Sequence, residues 1–324
     1  MQTQPGPIPV VLAIDVGGTK LAAAVCDLEG RQLVDDLRAT ASVEGAPAVL
    51  ARLVEMGHAA VRGAGPEAQL VAVGVSTIGI PLDHGVDLAP AIPGWGSVAL
   101  GRRVEEAFGV PAWVGNDVKA AALFESRSGA LVGQDPGLYL NLGTGLASAA
   151  VVGGQVLLGA HGAAGEIGYS LVSHGDVHRP LAGRAVLEDV VSGMGLAAVA
   201  SRRLGRPVDA TEVFESADGD PVLAELVEEF VEHLAAHLVN LVVALDPARV
   251  AVGGGLTRSW AKFSGPLERA LKSGVPYPPE LVLAARPDGA ALRGAVEMAL
   301  GCARQVLENP ARKSCVSHDN RRGM

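Results

Sequence analysis

Two short segments set an acidic or amide residue just ahead of a glycine and threonine turn. In the first, Asp15 precedes Gly17, Gly18, Thr19 and Lys20; in the second, Asn141 precedes Gly143, Thr144 and Gly145. Apolar runs flank both, so each reads as strand, turn, strand. Glycine lets a backbone turn sharply and come close to an anion. Thr19 adds a hydroxyl, Lys20 a positive charge, and Asp15 a carboxylate suited to a hydrated Mg²⁺. Either segment alone reads equally well as a hairpin turn with a buried polar residue. Two in one chain predict two backbone loops around a polyphosphate. The first turn lacks the Walker spacing and the helix that should follow it. A third glycine run, Gly253 to Gly255, ends a predicted strand and opens a helix. That position suits phosphate or nucleoside contacts, or a plain helix entry.

Four further residues could handle hydroxyl groups. Asn116 and Asp117 follow a strand and open a helix. An amide beside a carboxylate can hold two sugar hydroxyls and deprotonate one. Both residue types are also good helix caps, and the pair alone favours that reading. Glu166 lies between Gly165 and Gly168, and Glu188 follows Leu187. By itself each reads as a surface charge. His174 and His178 have a metal-ligand spacing, but they lie in a Gly/Asp/Pro loop without a third ligand.

Positioning these groups requires alternating strands and helices. Strands are expected at 10–15, 20–27, 31–39, 70–75, 110–115, 249–252 and 281–284, with a second glycine hairpin starting at 137. Helices are expected at 46–62, 98–108, 116–126, 187–203, 221–245, 260–272 and 290–303. Residues 76–95 are rich in Gly and Pro and form either a surface loop or a binding wall. A strand triplet followed by alternating helices and strands occurs twice, which predicts two α/β domains of similar plan. The break falls near 115–116. This gives one domain of 1–115 plus 290–306, a second of 116–289, and a polar tail at 307–324.

Composition fits that plan. The 324 residues are 49% hydrophobic and 3% aromatic, with 42 glycines and a net charge of −9. An acidic chain without a basic stripe is a poor nucleic-acid binder. Backbone N–H groups and Mg²⁺ still allow a nucleotide. Cys26, Cys302 and Cys315 form no C-x-x-C pair, and so sparse a count suits a reducing compartment. With no basic leader and no long apolar run, the expected location is the cytoplasm, with no membrane partner.

Taken in order, the Asp15–Lys20 turn, Asn116–Asp117, Gly143–Gly145, the Ala164–Gly168 segment and Gly253–Gly255 resemble the ROK family (repressors, open reading frames and sugar kinases). The likeness runs over about residues 10–303 and is strongest to the glucokinase branch. It implies the actin-like ATPase fold, an α/β arrangement of two ribonuclease H-like domains around a cleft. It also implies ATP with Mg²⁺ and transfer of the γ-phosphoryl group to a sugar hydroxymethyl. By that resemblance Asp117 is the general base and Asn116 a sugar ligand, with Glu166 and Glu188 holding the far side of the ring. Gly17, Gly18, Thr19 and Lys20 line one phosphate loop, with Asp15 reaching Mg²⁺ through water. Gly143, Thr144 and Gly145 line the other, and Gly254 lies near the nucleoside. The wall at 89–95 resembles the sugar-side loop, although Ala91 stands where the family usually has Asn. Gly79 matches a Pro-Gly turn whose proline is Ile78 here.

The departure is sharpest between 168 and 188. Family glucokinases bind a structural zinc there through one His and three Cys. Those positions fall on Tyr169, Arg179, Leu181 and Val186 in this chain. No zinc is therefore expected, and Leu181 and Val186 are expected to pack where the metal would have tied the loop. The family His reaches the anomeric end of the sugar, so Tyr169 points away from plain glucose. The expected acceptor is the 6-hydroxyl of a hexose or amino-hexose of the glucose, glucosamine or kanosamine type. Antibiotic-pathway sugar kinases of that kind belong to the same family. A C7-cyclitol 7-kinase is the alternative. A non-catalytic sugar-sensing regulator would need a DNA-binding segment before the first hairpin, and only about ten residues precede Val11. The family's members are often homo-oligomers, which is the expectation here.

Overall fold

The computed structural model describes residues 6–309 and residue 315. They fall into two compact units, one running to Phe124 and resuming at Gly289, the other comprising Glu125–Asp288.

The first unit opens with the hairpin strands β1 (Ile8–Val16) and β2 (Lys20–Asp27), followed by β3 (Gln32–Ala39). Next come α1 (Ala46–Gly63), β4 (Ala68–Thr77) and a two-stranded ribbon of β5 (Ile80–Pro81) and β6 (Val86–Asp87). Helix α2 (Leu100–Phe108), β7 (Ala112–Asn116) and α3 (Asp117–Ser128) follow, and the division between the units falls within α3. The sheet order is β3-β2-β1-β4-β7. The β1–β2 and β2–β3 pairs are antiparallel, while β1–β4 and β4–β7 are parallel. Strand β4 is nearly all apolar because helices cover both of its faces. Helix α1 lays Val49, Leu53, Met56 and Ala60 on one face of the sheet, at the 3–4 residue spacing of one helical face.

The second unit repeats the plan. Strands β8 (Gly137–Leu142), β9 (Leu146–Val152) and β10 (Gln155–Val156) form the antiparallel part. Helices α4 (Gly193–Leu204), α5 (Ala210–Ser216) and α6 (Pro221–Leu245) precede β11 (Arg249–Gly253), and α7 (Trp260–Gly274) precedes β12 (Glu280–Leu283). The order β10-β9-β8-β11-β12 matches the first sheet position for position. Asp220 caps α6 by accepting the N–H groups of Val222 and Leu223, with Pro221 at the first helical position. The buried stripe of α6 includes Leu226, Phe230 and Leu234, and Phe230 meets Phe214 and Phe263 edge-on.

The chain then returns to the first unit as α8 (Ala290–Glu308), which packs on β4 and β1. The approach leaves no room for side chains. A Cβ on Gly74 would sit 2.0 Å from the Ala295 carbonyl oxygen, and one on Gly294 would sit 1.9 Å from that of Ala120.

Four expectations change. The helix expected at 187–203 is a three-residue 3-10 turn at Leu187–Asp189 followed by α4, which starts at Gly193 under a Ser192 cap. Helix α5, capped by Asp209, is additional. The run after Gly254 opens a 3-10 turn, Gly255–Ser259, before α7. Cys302 and Cys315 are joined in a disulfide, which a reducing compartment disfavours. Both belong to the apolar cluster that also holds Cys26. Of the expected tail, Leu307 and Glu308 lie within α8; residues 310–314 and 316–324 lie outside the described residues.

Candidate functional site

Parallel pairing gathers the polar residues of each unit at the carboxyl ends of its strands, where open α/β sheets bind ligands. In the first unit Asp15 of β1 lies opposite Ser76 of β4, and Thr77 of β4 lies opposite Asn116 of β7. The Ser76 hydroxyl donates to Asp15 Oδ1 at 2.7 Å. The turn after β1 is pinned from two sides. Gly17 N–H donates to the Lys20 carbonyl at 2.9 Å, and the Thr40 hydroxyl donates to the Gly17 carbonyl at 2.7 Å. Thr19 and Lys20 are left exposed. Ala91 reaches this turn, since a Cβ on Gly18 would meet Ala91 Cβ at 3.4 Å. The wall carrying Ala91 is anchored by buried Trp95, whose Nε1–H donates to the Thr77 hydroxyl at 3.1 Å.

Asn116 is a helix cap and more. Its Oδ1 accepts the N–H groups of Val118 and Lys119 at 3.0 and 3.1 Å, fixing the start of α3. One Nδ2–H donates to the Gly79 carbonyl at 2.8 Å, and an amide nitrogen carries two such donors. Gly79 has φ +79°, and a Cβ there would lie 2.4 Å from the Asp87 carbonyl oxygen, so the turn requires glycine. Asp117, half-buried, is the first residue of α3 and accepts the Val118 N–H at 2.8 Å.

In the second unit the turn between β8 and β9 rests on the start of α4. Gly193 and Met194 N–H groups donate to the carbonyls of Gly143 and Thr144 at 2.8 and 3.2 Å. Gly254, at φ +92°, packs on the same turn: a Cβ there would lie 2.4 Å from the Leu142 carbonyl oxygen and 2.8 Å from Gly143 N. Glu188 borders it too, accepting the Leu146 N–H at 2.7 Å. A Cβ on Gly145 would come within 2.5 Å of Glu188 Oε2. Glu166 follows Gly165, whose carbonyl accepts the Ser148 N–H of β9 at 2.7 Å. Burial raises the Glu188 pKa, with the Asp189 and Glu166 charges adding to it and the Leu146 N–H opposing it. Tyr169 is raised by burial and by the charges of Glu188 and Glu166. Asn116, Asp117, Asp15 and the first turn therefore share one unit; Glu166, Tyr169, Glu188, Gly254 and the second turn share the other.

The loop from 168 to 188 is tied by backbone groups. Leu171 and Val186 form a β-bridge, Leu187 N–H donates to the Ser170 carbonyl at 3.0 Å, and Arg184 donates to the Tyr169 carbonyl at 3.2 Å. Val186 is half-buried, as expected of a packing residue, but Leu181 is 51% exposed and does not pack. Buried Leu187 takes that part. Tyr169, Arg179, Leu181 and Val186 offer neither imidazole nor thiolate, so they do not fit a zinc ion. Among the described residues no group of three or more His, Cys, Asp or Glu could hold a metal ion.

The Asp15 carboxyl has a raised pKa. Burial pushes it from 3.8 up to about 6, and the Ser76 hydroxyl acts in the opposite sense. A positive charge brought to this carboxylate would favour its ionised form, so the position fits a hydrated divalent cation. The folded chain holds the proton up to about pH 6, whereas an unfolded carboxyl releases it near 3.8. The stability this proton confers is full below 3.8 and is lost as pH rises to about 6. In metal-free buffer, the thermal midpoint of Asp15→Asn minus that of the unaltered chain should therefore grow over that window and then level off. A difference that stays constant between about pH 4 and 8 would contradict the shift.

Sequence reasoning missed Ser76 and Thr40, the two hydroxyls that fix Asp15 and its turn. The signal for Ser76 was the abrupt end of the apolar run at Val75.

The ROK family model matches residues 11–301. The fold superposes on a ROK hexokinase from Thermus thermophilus with a TM-score of 0.76 and 34% identity, covering 91% of this chain and 99% of that one. A ROK family glucokinase from Streptomyces griseus, solved in complex with glucose and AMPPNP, gives 0.73 and 30%, covering 91% and 99%. The N-acetylmannosamine kinase of Shigella flexneri is 32% identical over 253 residues, 76% of this chain and 83% of that enzyme. With the motifs, the paired sheets and a match over nearly its whole length, the chain belongs to the ROK family and has its actin-like ATPase fold.

Proposed function

We propose that this ATP-dependent sugar kinase phosphorylates the 6-hydroxyl of a hexose or amino-hexose, with Asp117 as the general base. The observation that carries the reading is the pairing in one unit of Asp117, at the amino end of α3, with Asn116, which fixes that helix start and keeps a second Nδ2–H for a sugar hydroxyl. Phosphoryl transfer needs positioning and charge stabilisation more than covalent help. Asn116 orients the acceptor and Asp117 takes the proton of the attacking hydroxyl. Glu166 and Glu188 accept hydroxyls on the far side of the ring, and the Tyr169 hydroxyl can donate to it. Gly17, Gly18, Thr19 and Lys20 form one glycine turn for ATP phosphates, and Gly143, Thr144 and Gly145 form another. Gly254 lies on the nucleoside side. Mg²⁺, held through water by Asp15, supplies charge neutralisation for the phosphoryl oxygens when bound.

The exposed Tyr169 and the rebuilt loop behind it support an acceptor other than plain glucose. A C7-cyclitol 7-kinase would use the same residues. The need for ATP supports a cytoplasmic location despite the Cys302–Cys315 bond, and no described helix is long and apolar enough to cross a membrane.

The test is ADP release with glucose, glucosamine, kanosamine, mannose, N-acetyl sugars and cyclitols. The expected result is a clear preference for an amino-hexose or another modified hexose over glucose. Equal turnover of glucose would remove the specificity assigned to Tyr169, and no response to any acceptor would overturn the kinase reading.

A further inference from the structure

Glu125 lies on α3, fully buried. A buried carboxylate is costly unless hydrogen bonds carry its charge. Here three backbone N–H groups do so. Oε2 accepts from Ala130 at 2.6 Å and from Ala285 at 3.0 Å, and Oε1 accepts from Arg286 at 3.0 Å. Space is reserved for it, since a Cβ on Gly129 would fall 2.2 Å from Oε2. The Ala130 bond closes the turn after α3. The other two hold the segment that follows β12.

That segment leads to the nucleotide side of the second unit. Ala284 N–H donates to the Val252 carbonyl at 2.9 Å, and the Pro287 carbonyl accepts the Gly254 N–H at 2.9 Å. Gly254 in turn packs on Leu142 and Gly143. Contacts thus run without a gap from Glu125 through residues 285–287 to Gly254 and the second phosphate turn. We infer that Glu125 is a positioning residue for ATP, fixing the loop on which the nucleoside rests. A carboxylate suits this task because two oxygens can take N–H groups from two separate segments, and such charge-assisted bonds are the stronger kind. An amide at the same place offers one acceptor and turns an NH₂ toward an N–H donor. The inference rests on the assignment of Gly254 to the nucleoside side.

Steady-state kinetics of Glu125→Gln, with hydrogen exchange of both proteins with and without AMPPNP, tests it. The expected result is faster exchange at Ala285 and Arg286 and a KM for ATP raised about tenfold, with the KM for the sugar unchanged. A purely structural role would lower the active fraction and the thermal midpoint without moving one KM alone. If Glu125→Gln folds poorly, Glu125→Asp keeps the charge but shortens its reach, and should shift the same KM in the same direction. Protection of 253–257 by AMPPNP in the unaltered protein, with less than a twofold change in the ATP KM of the variant, would overturn the role of Glu125 alone. Absence of that protection would overturn the placement of the nucleotide, and the inference with it.

Discussion

Asp117→Asn should lower kcat by on the order of 10² to 10⁴ while leaving the KM for ATP nearly unchanged. The substitution keeps the shape of the side chain and its acceptor oxygen, which takes the Val118 N–H at 2.8 Å. It keeps the start of α3 as well, because Asn116 Oδ1 does that work through Val118 and Lys119. What it removes is the ability to accept a proton from the sugar hydroxyl. The amide also forfeits the negative charge. Binding of the two substrates is retained, so the loss should fall in turnover. Turnover close to that of the unaltered enzyme, in a variant with normal thermal stability, would remove Asp117 from the base role.

Gly254→Ala should raise the KM for ATP at least about tenfold and cost about 1–3 kcal/mol of stability. Two independent features oppose a side chain there. The backbone is at φ +92°, a region that L residues rarely adopt, and the new Cβ would lie 2.4 Å from the Leu142 carbonyl oxygen. Relief requires either the turn at Gly143 or the loop bonded through Pro287 to move. The proposed function sets both on the nucleotide side, so ATP should feel the change before the sugar does. Gly255→Ala is the matched control. Its Cβ would meet nothing within 4 Å, so it should leave stability within about 0.5 kcal/mol of the parent. Equal ATP KM values for the two variants would contradict this account of the loop.

The parts of the site that could be read from sequence are those written in short local patterns. The turns at Gly17–Lys20 and Gly143–Gly145 carry their own signature, because glycine and threonine between two apolar runs leave few alternatives to a hairpin. Asn116 and Asp117 were visible as a pair, and the family resemblance separated their tasks, but how Asn116 is held was not visible. The cap geometry of Asn116 depends on its contact with Gly79, 37 residues away. Ser76 was missed for the same reason, since only the parallel register of β1 with β4 sets it beside Asp15. The loop from 168 to 188 has neither a helical nor a strand period, so nothing in it fixed which side chains turn inward. A purely apolar argument chose Leu181, whereas the Leu187 N–H bond to the Ser170 carbonyl holds Leu187 inward instead. Helix α5 has seven residues, too few to show a period, and Gly193 and Gly195 hid the start of α4.

In the proposed reaction the γ-phosphoryl group of ATP passes to a sugar hydroxymethyl. Phosphorus NMR of a reaction with ATP, Mg²⁺ and the responding acceptor tests it most directly. A phosphomonoester signal coupled to two methylene protons, appearing mole for mole with ADP, is the predicted result. ADP accompanied only by inorganic phosphate, or a phosphate coupled to a single ring proton, would contradict it.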